Sequence, residues 1–219
     1  RVIDAKAGSE LKRRSNVADP RDLAVGHDGR LYVADSEAGF RVRAYDLDTM
    51  AEPADIYTAP GKDRLAEQVV PCGKGRVCVL ETVQRDLKTT ELVAVDAEET
   101  GEIWRKGVPY ARSVVPVGKH VLVLVGDETA SVLFGPEGNQ VLKRDGLAAR
   151  LNSGNLLWFA DDLNESVTDI SVAGVRADKG SPKELGLLKG VRPASCSWNV
   201  TTVVCSGKSA FLIRRFAED

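Results

Sequence analysis

The chain has 219 residues, enough to bury a sizeable core, and its 30 Lys and Arg nearly cancel 32 Asp and Glu to a formal net charge of −2. With scattered basic residues and no global positive field, no nucleic-acid partner is expected; no apolar run approaches the roughly 20 residues of a membrane-spanning helix and no signal-peptide pattern opens the chain, so this domain is not expected to insert into a membrane. Because it begins at Arg1 and its only methionine is Met50, it reads as a mature or excised ectodomain.

In chain order, the first piece, RVIDAKAGSELKRR, resembles a pair of strands with nothing before it. A unit then recurs: a turn followed by a β-branched run that ends in an acid, as in HDGRLYVAD (27–35), GKGRVCVLE (73–81), GKHVLVLVGD (118–127) and SGNLLWFAD (153–161). A fifth, weaker copy is VTTVVCSG (200–207). The acids Asp35, Glu81, Asp127 and Asp161 are 34 to 46 residues apart, a period that signals a propeller or solenoid. The segments RDLAVG, AEQVVPCG, ARSVVPVG and LAARLNSG lead into these turns and read as first strands, A, before the second strands, B. Behind each B run, FRVRAYDLD, TELVAVDAEETGEIWRK, ASVLFGPEGNQVLKR and VTDISVAGVRADKGSPKELG read as a strand C, a turn and a strand D. Four antiparallel strands per repeat is the blade of a β-propeller, whose radial repetition leaves only short edges. The expectation is therefore an all-β chain forming a single β-propeller domain over residues 1–219. Its five four-stranded blades fall at about 20–63, 64–109, 110–146, 147–190, and 191–219 with 1–19, the N-terminal strands supplying what the last repeat lacks. The alternative is a piece of a larger propeller.

Two signatures carry a resemblance. Ala94-Val-Asp96-Ala-Glu-Glu-Thr100-Gly101-Glu-Ile-Trp104 resembles the repeat of the PQQ-like propeller superfamily, and Val2-Ile-Asp4-Ala-Lys-Ala-Gly8 keeps its Asp and Gly. Pro20-Arg-Asp-Leu-Ala24-Val25-Gly-His-Asp-Gly29-Arg-Leu-Tyr32-Val33-Ala34-Asp35 resembles one NHL repeat. Related quinone-dependent dehydrogenases are far longer and use adjacent cysteines, which this chain lacks, so neither a quinone nor any other cofactor is expected. NHL-type lactonases and lyases, which need a metal at the channel mouth, supply the enzymatic alternative. A fold of this kind hosts many functions. The leading expectation is a non-catalytic extracellular binding or sensor domain of a larger bacterial protein, possibly membrane-anchored, with a structural scaffold as the further alternative.

Cys72 and Cys78 flank a Gly-Lys-Gly turn, and Cys196 and Cys205 occupy what read as corresponding A and B positions of the last repeat. Opposed antiparallel residues have Cα atoms about 4.5–5.5 Å apart, inside the disulfide range. The spacings C-x5-C and C-x8-C do not fit the short intervals of a zinc site, and no histidine neighbours either pair to activate a thiol. Two staples, Cys72–Cys78 and Cys196–Cys205, are therefore expected, and with them an oxidising compartment: secreted or at the cell surface.

If the registers of the repeats agree, Asp35, Glu81, Asp127 and Asp161, joined by Glu37, Glu128 and Asp162, lie near one face. Arg21, Gln68, Arg112, Arg150 and Arg192 begin the A strands on that face. The functional reading is a channel mouth that binds a small anionic ligand or a protein. The plainer reading is that the arginines pair with the acids and that the acids close Asx turns. The acids are also candidate Ca²⁺ ligands if oxygens from several blades converge. His27 in a turn and His120 at a strand start read as rim residues, and Trp104, Trp158 and Trp198 as packing between blades. Asn164 and Asn199 lie in glycosylation sequons.

Overall fold

Strand pairing groups the chain into antiparallel sheets whose internal order follows the sequence. This computed structural model describes residues 2–3, 6–12, 19–35, 40–51, 53–61, 63–83, 86–126, 130–150, 155–160, 168–192, 195–198, 202–208 and 210–215. The contacts divide the chain into two units, Arg1–Pro109 and Tyr110–Asp219.

The first unit opens with β1 (Val2–Ile3) and β2 (Glu10–Lys12), which pair with each other. Sheet I follows with β3 (Pro20–Val25), β4 (Arg30–Asp35), β5 (Arg41–Asp46) and β6 (Ala54–Thr58). Sheet II comprises β7 (Arg64–Pro71), β8 (Arg76–Val83), β9 (Asp86–Asp96) and β10 (Gly101–Gly107). The second unit contains sheet III, with β11 (Ala111–Val117), β12 (His120–Val125), β13 (Ala130–Phe134) and β14 (Gln140–Asp145). Sheet IV has β15 (Leu147–Arg150), β16 (Asn155–Ala160), β17 (Thr168–Arg176) and β18 (Pro182–Val191). Sheet V has three strands, β19 (Ser197–Trp198), β20 (Thr202–Ser206) and β21 (Phe211–Arg215). Each sheet is an up-and-down meander. The five recurring runs of the sequence thus become β4, β8, β12, β16 and β20.

The sequence pattern follows from stacking of sheets face to face within each unit. Second strands such as β8 are buried along nearly their whole length, because both of their faces meet other groups, and they read as continuous apolar runs rather than alternating ones. Strand β16 shows how one run serves two neighbours. Leu156 and Trp158 face sheet III and meet Leu122 and Leu133, whereas Leu157 and Phe159 face sheet V and meet Val203 and Cys205. In the first unit Tyr32, Val42 and Ile56 of sheet I meet Val69, Val79 and Val93 of sheet II. Each fully buried side chain of this size is worth about 1.5–3 kcal/mol in transfer free energy.

The turns between third and fourth strands are built alike. Asp46 Oδ1 accepts from the N–H groups of Asp48 (2.9 Å) and Thr49 (2.7 Å), and Asp96 Oδ1 from those of Glu98 (2.8 Å) and Glu99 (2.9 Å). Each turn then needs a left-handed residue, which is Met50 (φ 51°), Thr100 (φ 55°), Gly138 (φ 73°) or Gly180 (φ 63°). Two of the four sites place a side chain where glycine is favoured.

Both staples form, Cys72–Cys78 with Cα atoms 5.7 Å apart and Cys196–Cys205 with Cα atoms 4.1 Å apart. Their positions are not equivalent, contrary to the sequence reading. Ser197 pairs with Val204, which sets Cys196 directly across from Cys205, whereas the partner of Cys78 in the ladder is Val70. Cys72 lies beyond the end of β7 and reaches Cys78 diagonally, its own N–H donating to the Arg76 carbonyl at 3.1 Å. Completion of the last blade by the N-terminal strands is not among the described pairings. Sheet V has three strands, β1 and β2 form a two-stranded sheet of their own, and no sheet among the described residues closes in that way.

Candidate functional site

A repeated irregularity controls which side chains reach the end of each sheet. In the β3–β4 ladder, Pro20 pairs with Asp35 and Asp22 with Ala34, so Arg21 is an inserted residue. In β7–β8, Ala66 pairs with Glu81 and Gln68 with Leu80, so Glu67 is inserted; in β11–β12, Ala111 pairs with Val125 and Ser113 with Leu124, so Arg112 is inserted. Such bulges re-aim one side chain and bend the strand locally. The position that matches Arg21 and Arg112 is therefore Glu67, not Gln68. The position that matches Asp35 and Glu81 in sheet III is Val125, two residues before Asp127.

At that position in the first unit lie two carboxylates withdrawn from solvent, Asp35 at 0% and Glu81 at 1% relative exposure. Each sits among arginines other than those the sequence suggested. Arg41 Nε stands 3.5 Å from Asp35 Oδ1 and Arg43 Nε 3.2 Å from Oδ2. The same two arginines reach Asp55 of β6 at 3.1 and 3.3 Å. In sheet II, Arg105 of β10 donates through Nη1 to Glu81 Oε2 (2.7 Å) and Glu91 Oε2 (2.6 Å), and through Nη2 to the Tyr57 hydroxyl oxygen (2.6 Å). Tyr57 in turn donates its O–H to Glu81 Oε1 at 2.8 Å, which ties β6 of sheet I to β8 of sheet II. Arg64 donates to Glu81 at 3.3 Å and also to Glu91. Thus acid, arginine and acid succeed one another on the second, third and fourth strands of sheet I, and acid, acid and arginine on those of sheet II.

The electrostatics match this geometry. Burial disfavours the Glu91 carboxylate, yet the hydrogen bonds and charges of Arg64 and Arg105 outweigh it and hold its pKa below the ordinary value. The Tyr57 phenol is pushed up, first by burial and then by the Glu81 charge it faces. Arg105 is penalised by burial but stays charged because of the hydrogen bonds it donates to Glu102, Glu81 and Glu91, and its pKa is raised. A carboxylate saturated in this way is a poor general acid or base, since its lone pairs are already engaged.

The other expected residues fall as follows. Arg21 is exposed and stands 3.7 Å from Asp19. Arg112 is exposed, and its guanidinium stem lies over Gly126, where an added Cβ would come within 1.7 Å of Nε. Gln68 is half-buried in β7 and Arg192 is exposed after β18. The backbone of Arg150 ends β15, and its side chain lies outside the described residues, as do Asp127, Asp161, Glu37, Glu128, Asp162, Asn164 and Asn199. His120 is buried rather than on a rim, and burial together with Lys119 lowers its pKa. Trp158 packs as expected, fully buried with Nε1 donating to the Asp145 carbonyl at 3.1 Å. Among the described residues no three His, Cys, Asp or Glu side chains group to hold a metal ion. Arg43, Arg64 and Arg105 were not selected from the sequence. The available signal was charge on otherwise apolar strands, but its partners depend on pairing between strands.

No family model and no curated protein matches the chain. Solved structures do. The β-propeller domain of the Trilobed protease from Pyrococcus furiosus is 12% identical over 99% of this chain and 73% of that one, with a TM-score of 0.59. BamB from Moraxella catarrhalis is 11% identical over 95% and 65%, with a TM-score of 0.56. An oligogalacturonate lyase in complex with manganese is 13% identical over 83% and 56%, with a TM-score of 0.55. The chain spans 56 to 73% of the length of these three structures. At these identities the likeness establishes the fold, a β-propeller, and nothing of its chemistry.

Proposed function

We propose that this β-propeller is a non-catalytic extracellular domain that binds a protein or a small anionic ligand, as part of a larger bacterial protein with a sensor role and possibly a membrane anchor. The observation that carries the reading is the burial of Asp35 and Glu81 and their pairing with arginines. Each acid is buried among arginines of its own unit, so Asp35 and Glu81 are structural and the exposed arginines at or near the strand starts are the groups left for a ligand. Those are Arg21 in the first unit and Arg112 and Arg192 in the second, and Gln68, Arg150, Asp127 and Asp161 are further candidates. Two disulfides support an oxidising compartment. Five blades, the last short of its outermost strand, are the reading that fits the sheet spans, and the PQQ-like and NHL-like repeats are its sequence signature.

The test is the double variant Arg112→Gln/Arg192→Gln against a panel of small dicarboxylates and phosphates. At least one of them should raise the thermal midpoint of the wild type and fail to raise that of the variant. No response in either protein sinks the anionic-ligand reading. Turnover of a lactone or oligosaccharide by the wild type, dependent on added Mn²⁺ or Ca²⁺, overturns the non-catalytic one.

A further inference from the structure

The third strands of sheets I and III are well protected: β5 is buried over Val42–Tyr45 and β13 along all five residues. Strand β21 occupies the same place in sheet V and is exposed at four of its five residues. It pairs with β20 over Phe211–Arg215, and no described strand takes its other edge. Leu212 turns inward onto the cluster formed with sheet IV. On the opposite face Phe211 and Ile213 are 78% and 61% exposed, side by side, with Arg215 next in line by the two-residue period of a strand.

Charge narrows the partner. Residues 191–215 contain Arg192, Lys208, Arg214 and Arg215 and neither Asp nor Glu; the next acids, Glu218 and Asp219, lie outside the described residues. No ion pair involves Arg214 or Arg215 among the described residues. Natural edge strands are guarded against pairing by charge, and here the guard stands only at the Arg214–Arg215 end. A strand bringing Lys or Arg to that end is repelled; one bringing carboxylates is paired.

We infer that the free edge of β21 is a docking site for an extended acidic segment of a partner protein, which adds antiparallel to β21 as a fourth strand. Its first two residues are acids opposite Arg215 and Arg214, and apolar residues follow opposite Ile213 and Phe211. The backbone of β21 supplies affinity through ladder hydrogen bonds, and the two arginines supply direction. This surface belongs to the second unit, uses none of the residues of the acid–arginine clusters and does not depend on the anionic-ligand reading.

The test uses the full chain and a fluorescein-labelled peptide, Gly-Glu-Asp-Val-Thr-Val-Gly, followed by fluorescence anisotropy. Binding should saturate, weaken by roughly tenfold or more in Arg214→Glu/Arg215→Glu, and weaken similarly when alternate peptide nitrogens are methylated, since two charged contacts or two ladder bonds are lost. Methylation leaves the protein untouched, so a folding defect cannot mimic that result. Absence of binding overturns the proposal, as does equal binding of Gly-Lys-Lys-Val-Thr-Val-Gly or of the methylated peptide. Slow amide exchange along both edges of β21 in the free monomer would show that the chain itself covers the strand, and a concentration-dependent dimer that excludes the peptide would make the occupant a second copy. Either result overturns it too. Failure here leaves the response of Arg112→Gln/Arg192→Gln to small anions to be judged separately.

Discussion

Replacing Arg105 by Met removes the group that joins the two acids of sheet II to Tyr57 while keeping much of its apolar stem. Arg105 donates to Glu81 at 2.7 Å, to Glu91 at 2.6 Å, to Tyr57 at 2.6 Å and to Glu102 at 2.8 Å. The Glu102 contact is largely exposed and is worth about 0–1 kcal/mol. The other three are partly buried. Breaking a buried pair by removing one partner costs about 3–5 kcal/mol, because it strands the remaining charge. Two features lower that figure. Arg64 stays within 3.3 Å of Glu81, and the Arg105 side chain is itself 21% exposed. The expected loss is about 3 kcal/mol, seated in the first unit. Hydrogen exchange read peptide by peptide is the suitable assay, since it separates residues 54–107 from those of the second unit. Faster exchange there, with sheets III and IV unchanged, is the expected result. Arg105→Lys should recover part of the loss, since an ammonium restores charge without the planar fork. The double variant Glu81→Gln/Arg105→Met should be less destabilised than the two single changes added together. A loss below about 1 kcal/mol for Arg105→Met, or simple additivity in the double variant, would refute the cluster as a buried latch.

Thr100→Gly should stabilise the first unit by about 1 kcal/mol in denaturant titration, because the left-handed turn residue at φ 55° carries a side chain there. The Glu91 pKa is depressed in the folded state, so its ion pairs stabilise above the unfolded value and are lost as pH falls through the folded one. The wild type should accordingly weaken as pH drops below 4.5, and Glu91→Gln should flatten that part of the pH–stability curve. Replacing Cys196 and Cys205 together by Ser should cost about 2 kcal/mol, the order expected for a closed loop of this length, with faster exchange confined to β19–β21. Arg21→Gln should change stability by less than about 0.5 kcal/mol, since its pair with Asp19 is exposed; a larger loss would mean that Arg21 has a buried role.

The second strands were legible in the sequence because a run such as Val77–Leu80 or Leu156–Phe159, buried on both faces, must be continuously apolar, and no contact from afar is needed to see it. The turns were legible because Asp46 and Asp96 bond their own following N–H groups. The cysteine pairs were legible because each closes within one hairpin. Which arginine meets which acid was not. One inserted residue at Arg21, Glu67 or Arg112 shifts the register of the first strand, and a shift of one residue moves every side chain beyond it to the other face. The sequence therefore placed Arg21 beside Asp35, whereas the fold brings Arg41 and Arg43 there from the adjacent strand. It placed Gln68 in the basic set, whereas the fold assigns Glu81 to Arg64 and to Arg105, 24 residues further on. Local chemistry determines which segments are strands and how they turn. Pairing of charges across strands is settled only when the ladders are in register, because a buried carboxylate is stable only with the arginine that the register delivers to it.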